Sequence, residues 1–288
     1  MNFIERRLDA GLYFVGVPIG TARDITLRAL DVLASADVLA AEDTRSLRRL
    51  MEIHGIPLAG RRIRALHDHS KPGVIAELVG LAEKGHAVAY ASEAGMPLIA
   101  DPGFELSRAF GSASLPVTCV PGPSAVTTAL TVAGLPTDAF HFAGFLPAAK
   151  TARETALQGL LDVRATLVFY ESPKRLAAML QAAAAALGAD RQAAVCRELT
   201  KKFEEVRRGT LQELAADYAT QLVKGEIVVL IDRGHLRTVR DVDLASELET
   251  ALETLSMRDA VDLVSKAHGL ARRKVYQMAL ELEKSDEA

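Results

Sequence analysis

Four short segments rich in glycine and proline follow predicted β-strands, and their composition suits ligand binding by the backbone. They are Gly16-Val17-Pro18-Ile19-Gly20, Ala91-Ser92-Glu93-Ala94-Gly95-Met96-Pro97, Val120-Pro121-Gly122-Pro123-Ser124-Ala125 and Lys224-Gly225-Glu226-Ile227. Each is also a normal turn sequence, because glycine and proline are the usual turn residues. In open α/β sheets, however, ligands bind beyond the carboxyl ends of the strands. Together the four segments predict a ligand held in a cleft between two halves of the molecule.

Other kinds of chemistry find little support in the sequence. Cys119 and Cys196 stand far apart and in no CxxC pair, which argues against zinc and favours a reduced, cytosolic protein. His67 and His69, on either side of Asp68, form the only close histidine pair, and without a third ligand in view they predict no metal site. The GxGxxG, GxxxxGK[ST], GxSxG and HExxH motifs are absent, which disfavours dinucleotide, P-loop, α/β-hydrolase and zinc-protease chemistry.

The elements that must position these loops follow from hydropathy. Short apolar runs alternate with longer amphipathic segments, a pattern typical of strands joined by crossover helices in an α/β sheet. Strands are predicted at 12–17, 38–41, 63–66, 87–91, 117–120, 140–143, 166–170, 193–197 and 227–231. Helices are predicted at about 26–34, 44–54, 72–83, 124–133 and 173–187, with Thr26 or Asp24 as the cap of the first.

The last part of the chain has a different character. Strand signals end at about residue 243, and 256–282 is predicted to be a compact helix pair that turns at His268-Gly269. The predicted fold class is therefore α/β, with two domains at 1–121 and 122–236 and a small helical domain at 237–288.

The composition is that of an ordinary folded protein. Of 288 residues, 49% are hydrophobic and 25% are charged, and the formal net charge is −3. This balance excludes a disordered chain and gives no sign of a globally basic nucleic-acid binder. The stretch 109–137 contains no Asp, Glu, Lys or Arg, but its prolines would break a membrane helix, so it predicts buried strand, loop and helix. The charged start of the chain lacks a secretory signal, so a cytoplasmic location is expected.

A series of longer motifs carries a family resemblance. They are Leu12–Gly20 (LYFVGVPIG), Asp24–Leu30 (DITLRAL), Ala41–Arg45 (AEDTR), Ser92–Gly103 (SEAGMPLIADPG), Val120–Ala125 (VPGPSA), Phe169–Arg175 (FYESPKR), Arg197–Glu205 (RELTKKFEE) and Gly225–Val228 (GEIV). In this order, over about 11–232, they resemble the ribosomal RNA small subunit methyltransferase I family, a branch of the tetrapyrrole methylase superfamily.

The resemblance implies a two-domain tetrapyrrole methylase-like fold, with the cofactor in the cleft between the domains, and a homodimer. It implies metal-free methyl transfer from S-adenosylmethionine to the 2′-oxygen of a cytidine in the decoding region of 16S ribosomal RNA, either free or in the 30S subunit. By motif position, the residues implied for the cofactor are Pro18, Ser92, Glu93, Ala94, Gly95, Ser124, Ala125 and Glu226. Backbone amides near Gly95, and at the predicted helix start at Ser124, are expected to take the methionine carboxylate.

The chain departs from the family pattern in two of these loops. The family usually has Ala-Thr-Pro-Ile-Gly-Asn where this chain has Gly16 to Thr21, and Ser-Asp-Ala-Gly-Thr-Pro where it has Ser92 to Pro97. A hydroxyl and an amide are lost at Val17 and Thr21, and Met96 replaces a hydroxyl residue. The contacts made at these three positions are therefore expected to differ from those of the family.

Methylation of a ribose hydroxyl benefits from a carboxylate that accepts its proton. The candidates are Glu42, Asp43, Glu93 and Glu198, and Glu42 and Asp43 are favoured because they end a predicted strand on the ligand-facing edge. Asp43 has an equally simple alternative role as the cap of the helix that begins near Thr44, with Arg45 contacting phosphate.

Basic residues cluster in three places despite the acidic total. The clusters are Arg45, Arg48, Arg49, Arg61, Arg62 and Arg64; Arg197, Lys201, Lys202, Arg207 and Arg208; and Lys266, Arg272, Arg273 and Lys274. Such runs are usually solvated faces, but they can also follow a phosphate backbone. From them we predict RNA contacts by Arg45, Arg48, Arg49, Lys201, Lys202, Arg272, Arg273 and Lys274. Tyr13, Phe145 and Tyr170 can stack on a base, although core packing is favoured for each.

Two other functions stay open at this point. One is methylation of a small-molecule macrocycle by the same fold, against which the arginine cluster and the basic tail argue. The other is a non-catalytic module that binds the cofactor or RNA, which the departures at Thr21 and Met96 leave possible.

Overall fold

A computed structural model describes residues 3–67, 72–221, 223–234, 241–268 and 270–286. The chain divides into two compact units, Met1–Arg233 and Gly234–Ala288. The first unit contains two five-stranded sheets. The first sheet is built from residues before 121 and the second from residues after it, while the boundaries predicted at 121/122 and 236/237 stay predictions.

The first sheet is entirely parallel, with the order β3-β2-β4-β1-β5. Its strands are β1 (Gly11–Val15), β2 (Val38–Ala41), β3 (Ile63–Ala65), β4 (Ala87–Ala91) and β5 (Val117–Val120). The connecting helices are α1 (Leu27–Ser35), α2 (Thr44–Ile53), α3 (Pro72–Glu83) and α4 (Phe104–Ser112). Every residue of β2 and β4 is buried, as expected for parallel strands covered by helices on both faces.

Alternate residues of the first sheet enter two separate cores. Val15 packs with α1 and α2 on one face, where Leu33 and Met51 are buried. Phe14 packs on the other face with α3 and α4, where Phe110 is buried. Thr26 begins α1 by accepting a hydrogen bond from the backbone N–H of Ala29 at 3.1 Å, which confirms one of its two predicted caps.

The second sheet corrects the prediction of strands joined throughout by crossover helices. Its strands are β6 (Phe140–Phe145), β7 (Thr166–Glu171), β8 (Gln192–Arg197), β9 (Glu205–Thr210) and β10 (Ile227–Ile231), in the order β6-β7-β10-β8-β9. Only β6 and β7 are parallel, and the other pairs are antiparallel. The strand β9 was not predicted, because its sequence Glu-Val-Arg-Arg-Gly-Thr lacks an apolar run.

Helices cover both faces of the second sheet as well. They are α5 (Ala125–Ala133), α6 (Lys150–Gln158), α7 (Leu176–Leu187) and α8 (Leu211–Thr220). The last three share one core with Phe169 and Val229, and α5 packs on the opposite face against Val168 and Val228. The uncharged stretch 109–137 contains the end of α4, β5 and α5, which confirms the predicted strand and helix, but the prediction that the strand is buried is wrong, because β5 lies at the sheet edge and is buried only at Val120. No helix among the described residues is long and apolar enough to cross a membrane.

The second unit is helical in its described parts. Its helices are α9 (Asp241–Leu252), α10 (Met257–His268) and α11 (Arg272–Asp286), and their apolar faces form one core around Leu248, Val261 and Val275. The predicted helix pair is confirmed by α10 and α11. Gly269, where the turn was predicted, lies outside the described residues.

Candidate functional site

Three of the predicted ligand loops leave the carboxyl ends of β4, β1 and β5, which are adjacent strands of the first sheet. Val17 and Gly95 hold two of these loops together through reciprocal backbone hydrogen bonds of 2.9 and 3.1 Å. The third loop passes so close that a Cβ on Gly122 would lie 2.8 Å from the backbone carbonyl carbon of Gly16. Glycine at both positions therefore allows the loops after β1 and β5 to touch.

A cavity of about 390 Å³ opens beside these loops and is closed on its other side by the second sheet. Six of the eight predicted cofactor residues line it: Glu93, Ala94, Gly95, Ser124, Ala125 and Glu226. Pro18 and Ser92 do not, and the buried Ser92 hydroxyl instead donates to the Ala94 carbonyl at 3.2 Å within its own turn. Ser124 is the N-cap residue of α5, and its side chain makes no capping hydrogen bond.

Glu171 is a cavity residue that the sequence analysis did not single out. It ends β7 and is 3% exposed. One carboxylate oxygen, Oε1, accepts from the Ser172 N–H at 2.7 Å and lies 3.3 Å from Arg175 Nε, whereas the buried Oε2 has no hydrogen-bond partner. A buried acceptor without a partner is costly, so this oxygen is suited to a donor on a ligand. The signal was available in the sequence as a carboxylate that ends a buried strand.

Met96, at which the chain departs from the family pattern, contacts a neighbouring loop. The Met96 thioether sulfur accepts a hydrogen bond from the Gly122 N–H at 3.2 Å and fills the space beside Gly16. At the other departure, the Thr21 N–H donates to the Thr200 hydroxyl at 3.2 Å and so ties the first loop to the second half of the unit. Two of the three altered positions, Thr21 and Met96, therefore join neighbouring loops.

A cluster of charged side chains lies beside the cavity, in which Lys201 and Glu198 are partly buried and Glu226, which lines the cavity, is exposed. Lys201 Nζ lies 2.9 Å from Glu198 Oε1 and 3.0 Å from Glu226 Oε2. The Glu226 N–H also donates to Glu198, and this bond together with the Lys201 ammonium lowers the pKa of the Glu198 carboxyl. Glu198 and Thr200 have φ values of 51° and 64°, a strained conformation for non-glycine residues. These contacts use the charges of Glu198 and Lys201 within the protein, and their proton-accepting and RNA-binding roles stay predictions.

A second concavity, of about 560 Å³, lies along α2. Pro18 and Ser92 line it together with Asp43 and Arg45, and Glu93 lines both this concavity and the cavity. The Glu93 N–H donates to Glu42 Oε2 at 3.2 Å. Two recesses therefore meet at Glu93.

Asp43 is fully engaged as the cap of α2. Its Oδ1 accepts from the backbone N–H of Arg45 and Ser46 at 2.7 and 3.3 Å, and its Oδ2 accepts from Arg45 Nη2 at 2.9 Å. The Arg45 guanidinium and these backbone amides lower the pKa of Asp43 to about 2. The capping alternative is confirmed, and a carboxylate with so low a pKa is a weak proton acceptor at neutral pH.

Two of the six arginines in the first basic cluster are structural. The Arg61 guanidinium donates to four backbone carbonyls, including Leu33 and Ala36 at the end of α1, and Arg64 pairs with Glu77 at 2.9 Å. The remaining members, Arg45, Arg48, Arg49 and Arg62, are exposed. These four can bind a phosphate without breaking a structural contact like those of Arg61 and Arg64. Arg45 and Arg49 do pair with Asp43 and Glu52, but these pairs lie at the surface.

Most side chains of the second basic cluster make ion pairs or hydrogen bonds within the protein. Arg197 and Arg207 both pair with Glu205, and Arg208 donates to the carbonyls of Val132 and Ala133. Lys202 is exposed and lies 5.5 Å from the Phe203 ring centre. In the tail, Arg272, Arg273 and Lys274 are exposed at the start of α11, with Arg272 Nε 2.5 Å from Asp262.

Aromatic residues divide between core and cavity. Tyr13 packs against the first core, and its hydroxyl donates to the Asp9 carbonyl, which confirms the core interpretation. Tyr170 packs edge-to-face with Phe142 and Phe145, and burial raises its pKa to about 12. Tyr170 and Phe145 both line the cavity.

The two cysteines are expected to differ in reactivity. Cys196 is buried at the cavity wall, and burial raises the pKa of its thiol to about 11, whereas Cys119 is exposed. Since the thiolate is the reactive form, we expect iodoacetamide at pH 8 to modify Cys119 and spare Cys196 in the folded protein, and to modify both in guanidinium chloride. Peptide mass spectrometry measures this, and rapid native modification of Cys196 would contradict the burial.

Among the described residues, no group of three or more His, Cys, Asp or Glu side chains is arranged so that it could hold a metal ion. Asp68 and His69 of the histidine pair lie outside the described residues.

Two family profiles match the chain. Tetrapyrrole (Corrin/Porphyrin) Methylases match residues 11–215, and the RsmI C-terminal HTH domain matches residues 239–283. Three similar proteins are named Ribosomal RNA small subunit methyltransferase I. That of Mesorhizobium japonicum is 43% identical over 96% of this chain and 94% of the relative. That of Mycobacterium tuberculosis is 41% identical (95% and 96%), and that of Escherichia coli O157:H7 is 39% identical (94% and 94%).

Solved structures share the fold of the first unit. The methyltransferase CobJ has a TM-score of 0.61 at 17% identity, covering 78% of this chain and 94% of its own. Uroporphyrin-III-C-methyltransferase from Thermus thermophilus has a TM-score of 0.55 at 23% identity, covering 77% and 94%. A Thermus thermophilus uroporphyrin III C-methyltransferase complexed with S-adenyl homocysteine has a TM-score of 0.53 at 19% identity, covering 76% and 96%. These similarities confirm the predicted tetrapyrrole methylase-like fold.

Proposed function

Because the chain belongs to the ribosomal RNA small subunit methyltransferase I family of the tetrapyrrole methylases, we propose that it transfers a methyl group from S-adenosylmethionine to the 2′-oxygen of a cytidine in the decoding region of 16S ribosomal RNA. The observation that carries the proposal is identity of 39–43% to the three relatives over at least 94% of this chain. Methylation of ribosomal RNA follows from that likeness, and the cytidine 2′-oxygen is the finer part of the proposal.

The cavity residues fit S-adenosylmethionine. The volume of about 390 Å³ lies within the range of roughly 300–1,000 Å³ usual for small-molecule sites. The backbone of Gly95 and the small residues Ser124 and Ala125 leave room that larger side chains would fill. The unpartnered Glu171 Oε2 offers an acceptor to a positively charged ligand rich in N–H and O–H donors. A structural relative of the same fold is complexed with S-adenyl homocysteine.

When bound, S-adenosylmethionine supplies a methyl group on a positively charged sulfur, which keeps the electron pair of the broken S–C bond as a thioether. The ribose oxygen forms the new O–C bond and gives up its proton. The residues of the chain therefore have to align two reactants and hold a proton acceptor, and alignment alone is worth up to roughly 7–11 kcal/mol in well-oriented systems. The loops around Gly95 and Gly122 are fixed to each other by backbone contacts, which suits them to alignment.

The predicted proton acceptors Glu42 and Asp43 lie at the boundary between the two recesses. Glu42 lines the cavity and Asp43 lines the concavity. The low pKa and complete capping of Asp43 favour a supporting role, in which it fixes the start of α2 and the Arg45 guanidinium.

Asp43→Asn is expected to leave the affinity for S-adenosylmethionine unchanged and to lower the transfer rate by less than about tenfold, short of the roughly 10²–10⁴-fold supplied by a general base. Asparagine still accepts the capping hydrogen bonds. Single-turnover transfer to 30S subunits measures the effect. A hundredfold loss would restore Asp43 as the proton acceptor, and Asp43→Ala serves as the variant that also removes the cap.

The function itself is tested with labelled S-adenosylmethionine on 30S subunits and on free 16S RNA, both from cells that lack the native enzyme. We expect label on the ribose 2′-oxygen of one decoding-region cytidine, identified by nuclease mapping and mass spectrometry. An absence of label on both substrates, with cofactor binding retained, would favour the small-molecule branch of the superfamily. Size-exclusion chromatography with light scattering tests the predicted homodimer in the same preparation.

A further inference from the structure

We propose that the concavity beside α2 receives the target nucleotide, turned out of the RNA, and that Glu93 accepts the proton of its 2′-hydroxyl. This inference rests on the proposed function and specifies where the RNA substrate lies relative to the cofactor. Enzymes that modify a nucleotide commonly extrude it from the surrounding stack into a pocket, which places a defined recess next to the reactive group.

The first argument is position. The concavity of about 560 Å³ and the cavity assigned to the cofactor share one lining residue at their boundary, Glu93. Of the four carboxylates predicted as proton acceptors, Glu93 alone lines both recesses. Its backbone is fixed there because its N–H donates to Glu42 Oε2 at 3.2 Å. A ribose at this boundary would let a nucleotide in the concavity reach the cofactor in the cavity.

The second argument is the chemistry of the walls. Arg45 and Arg49 lie one turn apart on α2, line the concavity and have 91% and 74% of their side chains exposed, so both can reach phosphates on either side of an extruded nucleotide. Further along the same helix face, Leu50 and Ile53 also line the concavity, and Ile53 is 51% exposed. An apolar surface next to two cations suits the flat face of a base whose neighbouring phosphates the cations bind.

The methyl transfer releases the proton of the ribose hydroxyl, and Glu93 is the group that accepts it. The ribose oxygen forms a bond to the methyl carbon, the S–C bond breaks with its electron pair left on sulfur, and the hydroxyl proton moves to the Glu93 carboxylate. Arg45 is the cation whose charge interacts with Glu93. Asp43 faces the same recess but is already bound to Arg45 and to two backbone amides.

Ile53→Trp tests the pocket, with Leu27→Trp as its control on another exposed apolar residue, which lies outside both recesses. We expect Ile53→Trp to lower the transfer rate to 30S subunits by at least about tenfold, because a filled pocket misplaces the nucleotide. Its affinity for S-adenosylmethionine, measured by calorimetry, and its unfolding temperature should match those of Leu27→Trp. Equal transfer by the two variants would overturn the pocket.

Arg49→Ala and Arg108→Ala form a second matched pair, since each arginine is exposed and pairs with a glutamate three residues away. Arg49→Ala is expected to raise the KM for 30S subunits and to reduce the slope of log affinity against log salt by about 0.7–0.9, the value for one lost phosphate contact. Arg108→Ala should do neither. Identical salt slopes in the two variants would contradict phosphate contact by Arg49.

Glu93→Gln tests the proton acceptor. We expect kcat to fall by about 10²–10⁴-fold, with KM for 30S subunits nearly unchanged and loss of the acidic limb of the pH profile of kcat. A pH profile of wild-type shape with a fall below tenfold would overturn this role. Failure of the proposed function would give a different result, because the wild-type protein itself would then leave 30S subunits unlabelled.

Discussion

Gly95→Val is expected to abolish measurable binding of S-adenosylmethionine. Gly95 has a φ of 72°, a region that β-branched residues almost never occupy. A Cβ at this position would lie 3.3 Å from Ile19 Cγ2 and 3.6 Å from the Pro123 carbonyl oxygen, and Gly95 lines the cavity. The two γ-methyl groups of valine would extend further into this space. Relief of the strain would also break the reciprocal hydrogen bonds between Gly95 and Val17 that hold the loops together.

The control for this prediction is Gly85→Val. Gly85 also has a positive φ, of 93°, but a Cβ there meets nothing within 4 Å, and the residue does not line the cavity. Both variants therefore carry backbone strain of roughly 1–3 kcal/mol, while only one alters the cofactor loop. Isothermal calorimetry gives the affinities and thermal unfolding gives the shared loss of stability. Wild-type affinity in Gly95→Val would remove this loop from the cofactor site.

Strands with continuous apolar runs could be predicted to the residue. The ranges 38–41, 87–91, 117–120 and 227–231 coincide with β2, β4, β5 and β10. β2, β4 and β10 are buried along their whole length, which requires such runs, so the ends of the runs mark the ends of these strands. The edge strand β5 is buried only at Val120. β9 could not be found in this way, since none of its six residues is fully buried and Val206 is its only apolar side chain. Its pairing with β8 depends on the tertiary structure.

The candidate site was predictable to the extent that it follows from parallel topology. Loops after β1, β4 and β5 had to share one edge of the sheet, and most of the proposed cofactor residues line one cavity as a result. The sequence did not reveal which charges are neutralised, because Arg61 and Lys201 find their partners only through tertiary contacts. For the same reason, the unpartnered oxygen of Glu171 could be recognised only from the geometry.

Truncation after Arg233 is expected to weaken RNA binding strongly and to leave the affinity for S-adenosylmethionine unchanged. Every residue that lines the cavity lies within the first unit, which ends at Arg233. The removed unit matches the RsmI C-terminal HTH domain and carries exposed Arg272, Arg273 and Lys274 at the start of α11. If two of these exposed cations contact phosphates, their loss lowers the salt slope by about 1.4–1.8.

A double variant of the full chain, Arg273→Gln with Lys274→Gln, separates charge from the presence of the domain. Both side chains are exposed, so the helix core around Val275 and Ala279 is retained. We expect this variant to reproduce most of the change in salt slope seen on truncation, whereas Arg258→Gln, an exposed position on α10, should leave the slope unchanged. Filter binding to 16S RNA across a salt series measures all three proteins. If truncation weakens binding while the double variant does not, the domain contributes through contacts other than these cations, and if neither weakens it, the domain has no part in RNA binding.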